Sequence, residues 1–185
     1  MFLFSAVDTQ AKFLTQSLPA MQIVWFRQLG LLAGVFILLA MQGMVVLKTN
    51  NLKLQISRGV LAGSSAAIFI IAIQYVPIAD AVAVSFVAPF LVTILGALVL
   101  KEKVGIRRWT AVSIGFVGML IVVRPGLGVV HPAAGLVLLA AAFFAVRQIL
   151  SRFLSGSDRI RTTVAYTAIV STAMLTLPLV FVWAT

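Results

Sequence analysis

The sequence predicts an all-α integral membrane protein, a multi-span helix bundle, and three observations carry that expectation. Hydrophobic residues make up 62% of the chain and charged residues 10%, with a mean hydropathy of +1.16, a balance far from that of a soluble domain. The apolar residues fall in runs that match the roughly 20 residues a helix needs to cross a hydrocarbon core. The basic residues gather in alternate connections between those runs.

Seven runs qualify: Met1 to Gln16, Ala20 to Leu47, Ser57 to Val76, Ala79 to Leu100, Ile106 to Val123, Pro132 to Phe153 and Thr162 to Ala184. The first is short, and its Asp8 and Lys12 share a helical face at a spacing of four, where they can pair. The second encloses Arg27 and ends at Lys48-Thr49-Asn50-Asn51, a turn-forming string. The third brings Gln74 and Tyr75 to its outer end before Val76-Pro77. Asp80 opens the fourth, where a carboxylate complements a helix amino terminus and is read as a cap.

The fourth run also holds Pro89 at mid-length, which removes a backbone hydrogen bond and kinks a helix. In a membrane the freed carbonyl needs a partner or a cavity, so Pro89 is a candidate pathway residue, with Ser85 and Thr93 one turn to either side. The fifth run ends at Arg124-Pro125-Gly126, the sixth carries Arg147 well inside it, and Ser155 to Asp158 form the turn before the seventh. Gly30 and Gly34, Gly59 and Gly63, and Ala111 with Gly115 are small-residue pairs that let membrane helices approach closely. Self-association into a homodimer through such faces is a further reading of the same pattern.

Lys48, Lys53 and Arg58 are assigned between spans two and three, Lys101, Lys103, Arg107 and Arg108 between four and five, and Arg152, Arg159 and Arg161 between six and seven. All are even-to-odd connections, which the positive-inside rule places in the cytoplasm together with the amino terminus. Lys101, Lys103, Arg107 and Arg108 are expected to anchor the membrane interface, with Glu102 a partner inside that cluster. Trp25, Trp109 and Trp183 fall near span ends, as aromatic belts do. The first run lacks a basic n-region and a small-residue cleavage site, so it is read as a span and not a signal peptide.

The formal charge of +10 does not imply nucleic acid, because a nucleic-acid binder presents its basic residues as a solvated stripe. The sequence has no cysteine and a single histidine, His131, so thiolate chemistry and a histidine metal cluster are excluded. A P-loop, a dinucleotide fingerprint, a zincin motif and a carboxylate pair for hydrolysis are all missing, and neither enzyme nor cofactor is expected.

At an offset of 140, Phe13-Leu14-Thr15-Gln16-Ser17 lies over Phe153-Leu154-Ser155-Gly156-Ser157, and Val24-Trp25-Phe26 over Val164-Ala165-Tyr166. Spans six and seven then read as a second copy of spans one and two, and an odd repeat of five spans would place the copies in inverted orientation. The stretches Gln74 to Phe90, Leu100 to Lys103 and Arg108 to Gly126 resemble the first repeat of an EamA-domain transporter of the drug/metabolite transporter superfamily. Residues 1–126 then form the first repeat, and 127–185 resemble the opening of a second.

The resemblance implies ten spans in two inverted repeats and transport of small metabolites or drugs across the bacterial inner membrane. It also matches Pro89 to a position in the fourth helix and Glu102 to the acidic residue that closes it. On this reading the chain looks truncated after seven of ten spans, and the alternative function is a transport-inactive paralogue or fragment acting at most as a membrane partner. Asp8, Lys12, Arg27, Gln74, Tyr75 and Arg147 are expected to border a central cavity, where Lys12 and Arg27 would favour an anionic or zwitterionic small-molecule substrate. Asp8 is either the proton-coupling carboxylate, its pKa raised by desolvation, or the neutralising partner of Lys12.

Overall fold

A computed structural model describes residues 9–14, 19–123 and 133–182 of the chain, with backbone alone at 20, 122–123 and 178–182. The described residues are helices and the turns that join them, with no strand among them. A short helical stretch, α1 (residues 9–14), is followed by α2 (Ala20–Gln42) and a 3-10 turn, Gly43–Leu47. Gly43 stops α2 by turning left-handed at φ 70°, while its N–H still reaches the Leu39 carbonyl, a conformation glycine adopts without a Cβ penalty.

α3 (Leu52–Tyr75) ends where Val76 becomes extended, φ −120° and ψ 140°, the conformation that the following Pro77 imposes on its neighbour. It begins at Leu52 instead of Ser57, so Lys53 and Arg58 lie within the helix and not in the connection.

The fourth run is two helices, α4 (Ile78–Ser85) and α5 (Val87–Val99), jointed at Phe86. Pro89 has no N–H to offer the Ser85 carbonyl four residues back, and the joint falls within that span of chain. Asp80 sits in the first turn of α4, but no side chain caps it and Pro77 holds the cap position. Asp80 therefore complements the helix end by charge, as its place at the start of the run predicts. α6 (Ile106–Val123), α7 (Ala134–Ser155) and α8 (Ile160–Val182) complete the order.

Among the described residues, five stretches are long and apolar enough to cross a membrane: Met21–Leu47, Leu52–Tyr75, Ile78–Val99, Ala134–Ser155 and Ile160–Leu177. Their packing is not that of consecutive hairpins. α7 lies mainly against α3 and α5, and α8 against α3 and α2, whereas α7 and α8 barely touch each other. α6 packs on α4 and α5, where Phe116 stacks on Phe90 at 5.2 Å between ring centroids.

Of the small-residue positions, Gly59 and Gly63 do bring helices together. A Cβ on Gly59 would fall 2.6 Å from the Val170 Cβ of α8, and one on Gly63 3.2 Å from that of Ser171. Gly30, Gly34 and Gly115 face open space instead. Gly30 and Gly34 line a shallow apolar groove with Leu31, Val35, Leu38 and Val164.

One end of the bundle collects the basic connections. Arg161 Nη1 donates to Gln42 Oε1 at 2.6 Å, and the Tyr166 hydroxyl to the Leu47 carbonyl at 3.1 Å. The other end joins Trp25 Nε1 to Thr176 Oγ1 at 3.0 Å. α8 therefore runs antiparallel to α2 along its length.

Candidate functional site

Polar side chains that would be costly in lipid are gathered into a seam where α3 meets α7 and α8. On α3, Gln55, Arg58 and Ser65 stand on one side of the helix, since residues three and seven apart return to the same side. The Arg58 Nε donates to Ser151 Oγ of α7 at 2.7 Å, and its Nη1 to the Thr163 carbonyl of α8 at 3.3 Å and to Thr167 Oγ1. Both hydroxyls pass their own protons on within their helices, Ser151 to the Arg147 carbonyl at 2.8 Å and Thr167 to the Thr163 carbonyl at 2.6 Å. Further along, Ser65 Oγ donates to the Ala140 carbonyl of α7 at 2.8 Å.

At the basic end the seam closes in a knot around Asp158, in the turn between α7 and α8. Its carboxylate accepts from Thr49 Oγ1 at 2.5 Å, the Asn50 N–H at 3.1 Å and Gln55 Nε2 at 2.8 Å. Partial desolvation pushes the Asp158 pKa up, but the hydrogen bonds from Thr49, Asn50 and Gln55 outweigh it and hold the carboxyl below the ordinary aspartate value. The Asn50 and Asn51 side-chain amides add bonds of 3.2 Å each to the Ser157 carbonyl and hydroxyl. Gln55 is fully buried, and its Oε1 has no partner among the described residues.

A second link ties α5 to α7. Glu102 Oε2 lies 2.5 Å from Arg152 Nη1 and 3.8 Å from Arg108 Nη1. Its principal partner is thus on α7 and not within the cluster of Lys101, Lys103, Arg107 and Arg108, which supplies only the longer contact. Lys101 takes a left-handed conformation, φ 51°, and the Glu102 N–H bonds the Gly96 carbonyl at 3.2 Å. Gly96 is the site of close approach, for a Cβ there would meet both Arg152 Nη1 and Glu102 Oε2 at 3.4 Å.

The residues expected to border one cavity are not gathered in one place. Asp8 lies outside the described residues. Lys12 Nζ donates to the Ile73 carbonyl and to that of Val76 at 3.1 Å, capping the far end of α3. Gln74 and Tyr75 are exposed at that same end, and Arg27 is exposed on α2. Arg147 belongs to the seam near Arg58, about 22 Å along α3 from Ile73 at 1.5 Å per residue. Its guanidinium lies 4.7 Å from the Phe144 ring centroid.

Around the joint, Ser85 Oγ donates to the Val82 carbonyl at 2.7 Å and Thr93 Oγ1 to the Pro89 carbonyl at 2.8 Å. Thr93 is buried, whereas Pro89 is exposed. The sequence reading missed Arg58, Arg152 and Asp158 as site residues because each sat in a stretch assigned to a connection. It also passed over Gln28, buried on α2, whose polarity within an apolar run was a usable signal.

The EamA-like transporter family model matches residues 1–124. Among curated proteins, the chain is similar to an S-adenosylmethionine uptake transporter of Rickettsia prowazekii, 27% identical over 92% of this chain and 58% of the relative. A riboflavin transporter of Brucella anthropi is 29% identical over 90% of this chain and 58% of its own length. The pseudopaline exporter CntI of Pseudomonas aeruginosa is 29% identical over 97% and 63% respectively. The chain therefore spans about three fifths of the length of these relatives. No solved structure matches it. With the family model covering two thirds of a chain whose described residues form an apolar helix bundle, the protein belongs to the EamA-like transporter family.

Proposed function

We propose that the chain acts in secondary transport of small molecules across the bacterial inner membrane, by alternating access between two inverted repeats, residues 1–126 and 127–185. The observation that carries this reading is the packing of α7 and α8 between α2, α3 and α5 instead of against each other. In inverted-repeat transporters the substrate lies at the repeat interface, and the repeats rock about it. Here that interface is the polar seam, whose bonds run from α3 to hydroxyls and carbonyls that can exchange partners as helices shift.

The basic end faces the cytoplasm in this reading, which sets the amino terminus on that side. The relatives are named for both uptake and export, so their names do not carry a direction over to this chain. Without a nucleotide-binding motif, the driving energy is an ion gradient or that of the substrate itself. Pro89, with Ser85 and Thr93, forms the hinge segment of the pathway, and Lys12 stands at the end of α3 away from the basic connections.

The test is solute flux in vesicles reconstituted with the purified protein, using a panel of radiolabelled metabolites that includes S-adenosylmethionine and riboflavin. Flux above protein-free vesicles for at least one solute is expected. Folded protein that moves none of them, under either pH gradient, would favour the transport-inactive reading.

A further inference from the structure

We propose that Arg58 and Arg147 together form an anion-binding site that takes a carboxylate or phosphate group in the half of the bundle nearer the basic end. The proposal deepens the transporter reading, on which only the ligand's role as cargo rests; binding itself is tested apart from flux.

Both arginines lie within membrane-crossing stretches. Arg58 is six residues into α3 and Arg147 eight residues before the end of α7, or about 9 and 12 Å from those ends at 1.5 Å per residue. Arg58 reaches the Ser151 hydroxyl, which sits one helical turn beyond Arg147 and bonds its carbonyl, so the two arginines stand on adjoining turns of the seam. Two cations brought this near one another in a low-dielectric span are unfavourable unless an opposite charge joins them.

No carboxylate of the protein supplies that charge among the described residues. The four acidic residues are Asp8, Asp80, Glu102 and Asp158. Glu102 is held by Arg152 and Arg108, and Asp158 by Thr49, Asn50 and Gln55. Asp80 opens α4 at the opposite end, and Asp8 precedes the described residues.

Every acceptor that Arg58 reaches is neutral, and the contact the Arg147 guanidinium makes is with the Phe144 ring. A half-buried guanidinium with five planar donors and no acceptor among the described residues is poised for a two-oxygen anion, which it binds in a fork.

Two sources share this chemistry, a soluble anionic metabolite and the headgroup of an anionic lipid. The experiment measures the unfolding midpoint of the purified full chain in neutral detergent against inorganic phosphate, with sodium chloride at equal ionic strength as control. It repeats the measurement in phosphatidylcholine vesicles with and without phosphatidylglycerol. Arg147→Gln is the principal variant because it removes no hydrogen bond within the protein, and Arg147→Lys keeps the charge without the fork.

Wild-type protein is expected to be stabilised by phosphate beyond the chloride control. Arg147→Gln should weaken the apparent affinity by roughly tenfold or more, as expected for losing hydrogen bonds to a charged group, with Arg147→Lys between the two. Stabilisation by phosphatidylglycerol alone, lost in Arg147→Gln, would support the site and name the lipid headgroup as its source. An Arg147→Gln response equal to that of wild type, or no wild-type response to either probe, would overturn the proposal. Flux without an anion response would sink the site and spare the transporter reading, and the converse result would do the opposite.

Discussion

Replacing Gly59 with alanine tests whether the contact between α3 and α8 holds the bundle together. The added Cβ would stand 2.6 Å from Val170 Cβ, 2.8 Å from Val170 Cγ1 and 3.3 Å from the Tyr166 carbonyl oxygen. Carbon atoms rest at about 3.5–4.0 Å, so α8 must withdraw by roughly 1 Å. A rotamer change does not relieve the clash, because Val170 Cβ is fixed to the α8 backbone. Overpacking of this kind costs about 1–3 kcal/mol, and alanine returns about 0.8–1.0 kcal/mol of helix propensity over glycine. The net expectation is a loss of up to about 2 kcal/mol.

Gly34→Ala and Gly115→Ala meet nothing within 4 Å and keep the propensity gain alone. Gly63→Ala, with Ser171 Cβ at 3.2 Å, falls between. Denaturant titration of the purified protein, followed by tryptophan fluorescence, should rank stability as Gly34→Ala above Gly63→Ala above Gly59→Ala. A Gly59→Ala protein as stable as Gly34→Ala would refute the close-packed interface.

The link between α5 and α7 predicts a double-mutant coupling of about 0.5–1 kcal/mol between Glu102→Gln and Arg152→Gln, modest because both side chains are a third or more exposed; zero coupling would assign Glu102 to its own cluster. The Asp158 carboxyl is held below its unfolded value, so its contribution is fully present above about pH 3.9 and is lost as pH falls through the lower folded value. The stability gap between wild type and Asp158→Asn should therefore shrink as pH drops below about 4, and a gap that widens would refute the knot. Pro89→Ala restores a donor to the Ser85 carbonyl, and hydrogen exchange across residues 85–90 should slow as the helix becomes continuous. The chain has no cysteine, which makes single-cysteine labelling clean: Lys103→Cys and Ser157→Cys should react from one face and Gln74→Cys from the other.

Helix positions were readable to within a turn or so wherever apolar length and turn chemistry decided them. Pro89 announced a break, and the joint lies at Phe86, three residues before it. The start of α3 was misjudged because Lys53, Gln55 and Arg58 look like a connection by polarity, whereas the helix runs through them and turns Gln55 and Arg58 into the seam. Assigning that stretch to a connection hid Arg58, whereas Arg147 stood out already from its place inside the sixth run.

By itself the sequence determined where the apolar helices lie, which connections carry the positive charge and where the fourth run breaks, although α6, expected as the fifth span, is not among the five stretches long and apolar enough to cross a membrane in the described residues. These depend on local composition and covalent geometry, and each residue contributes whatever its distant neighbours are. Only the tertiary structure decided that Gly59 and Gly63 pack while Gly30 and Gly34 face outward, that Glu102 reaches across to Arg152, and that Arg58 reaches Ser151, one turn from Arg147. Those outcomes depend on how each helix is rotated and against which partner it lies, and residues 50 to 110 positions apart set that together.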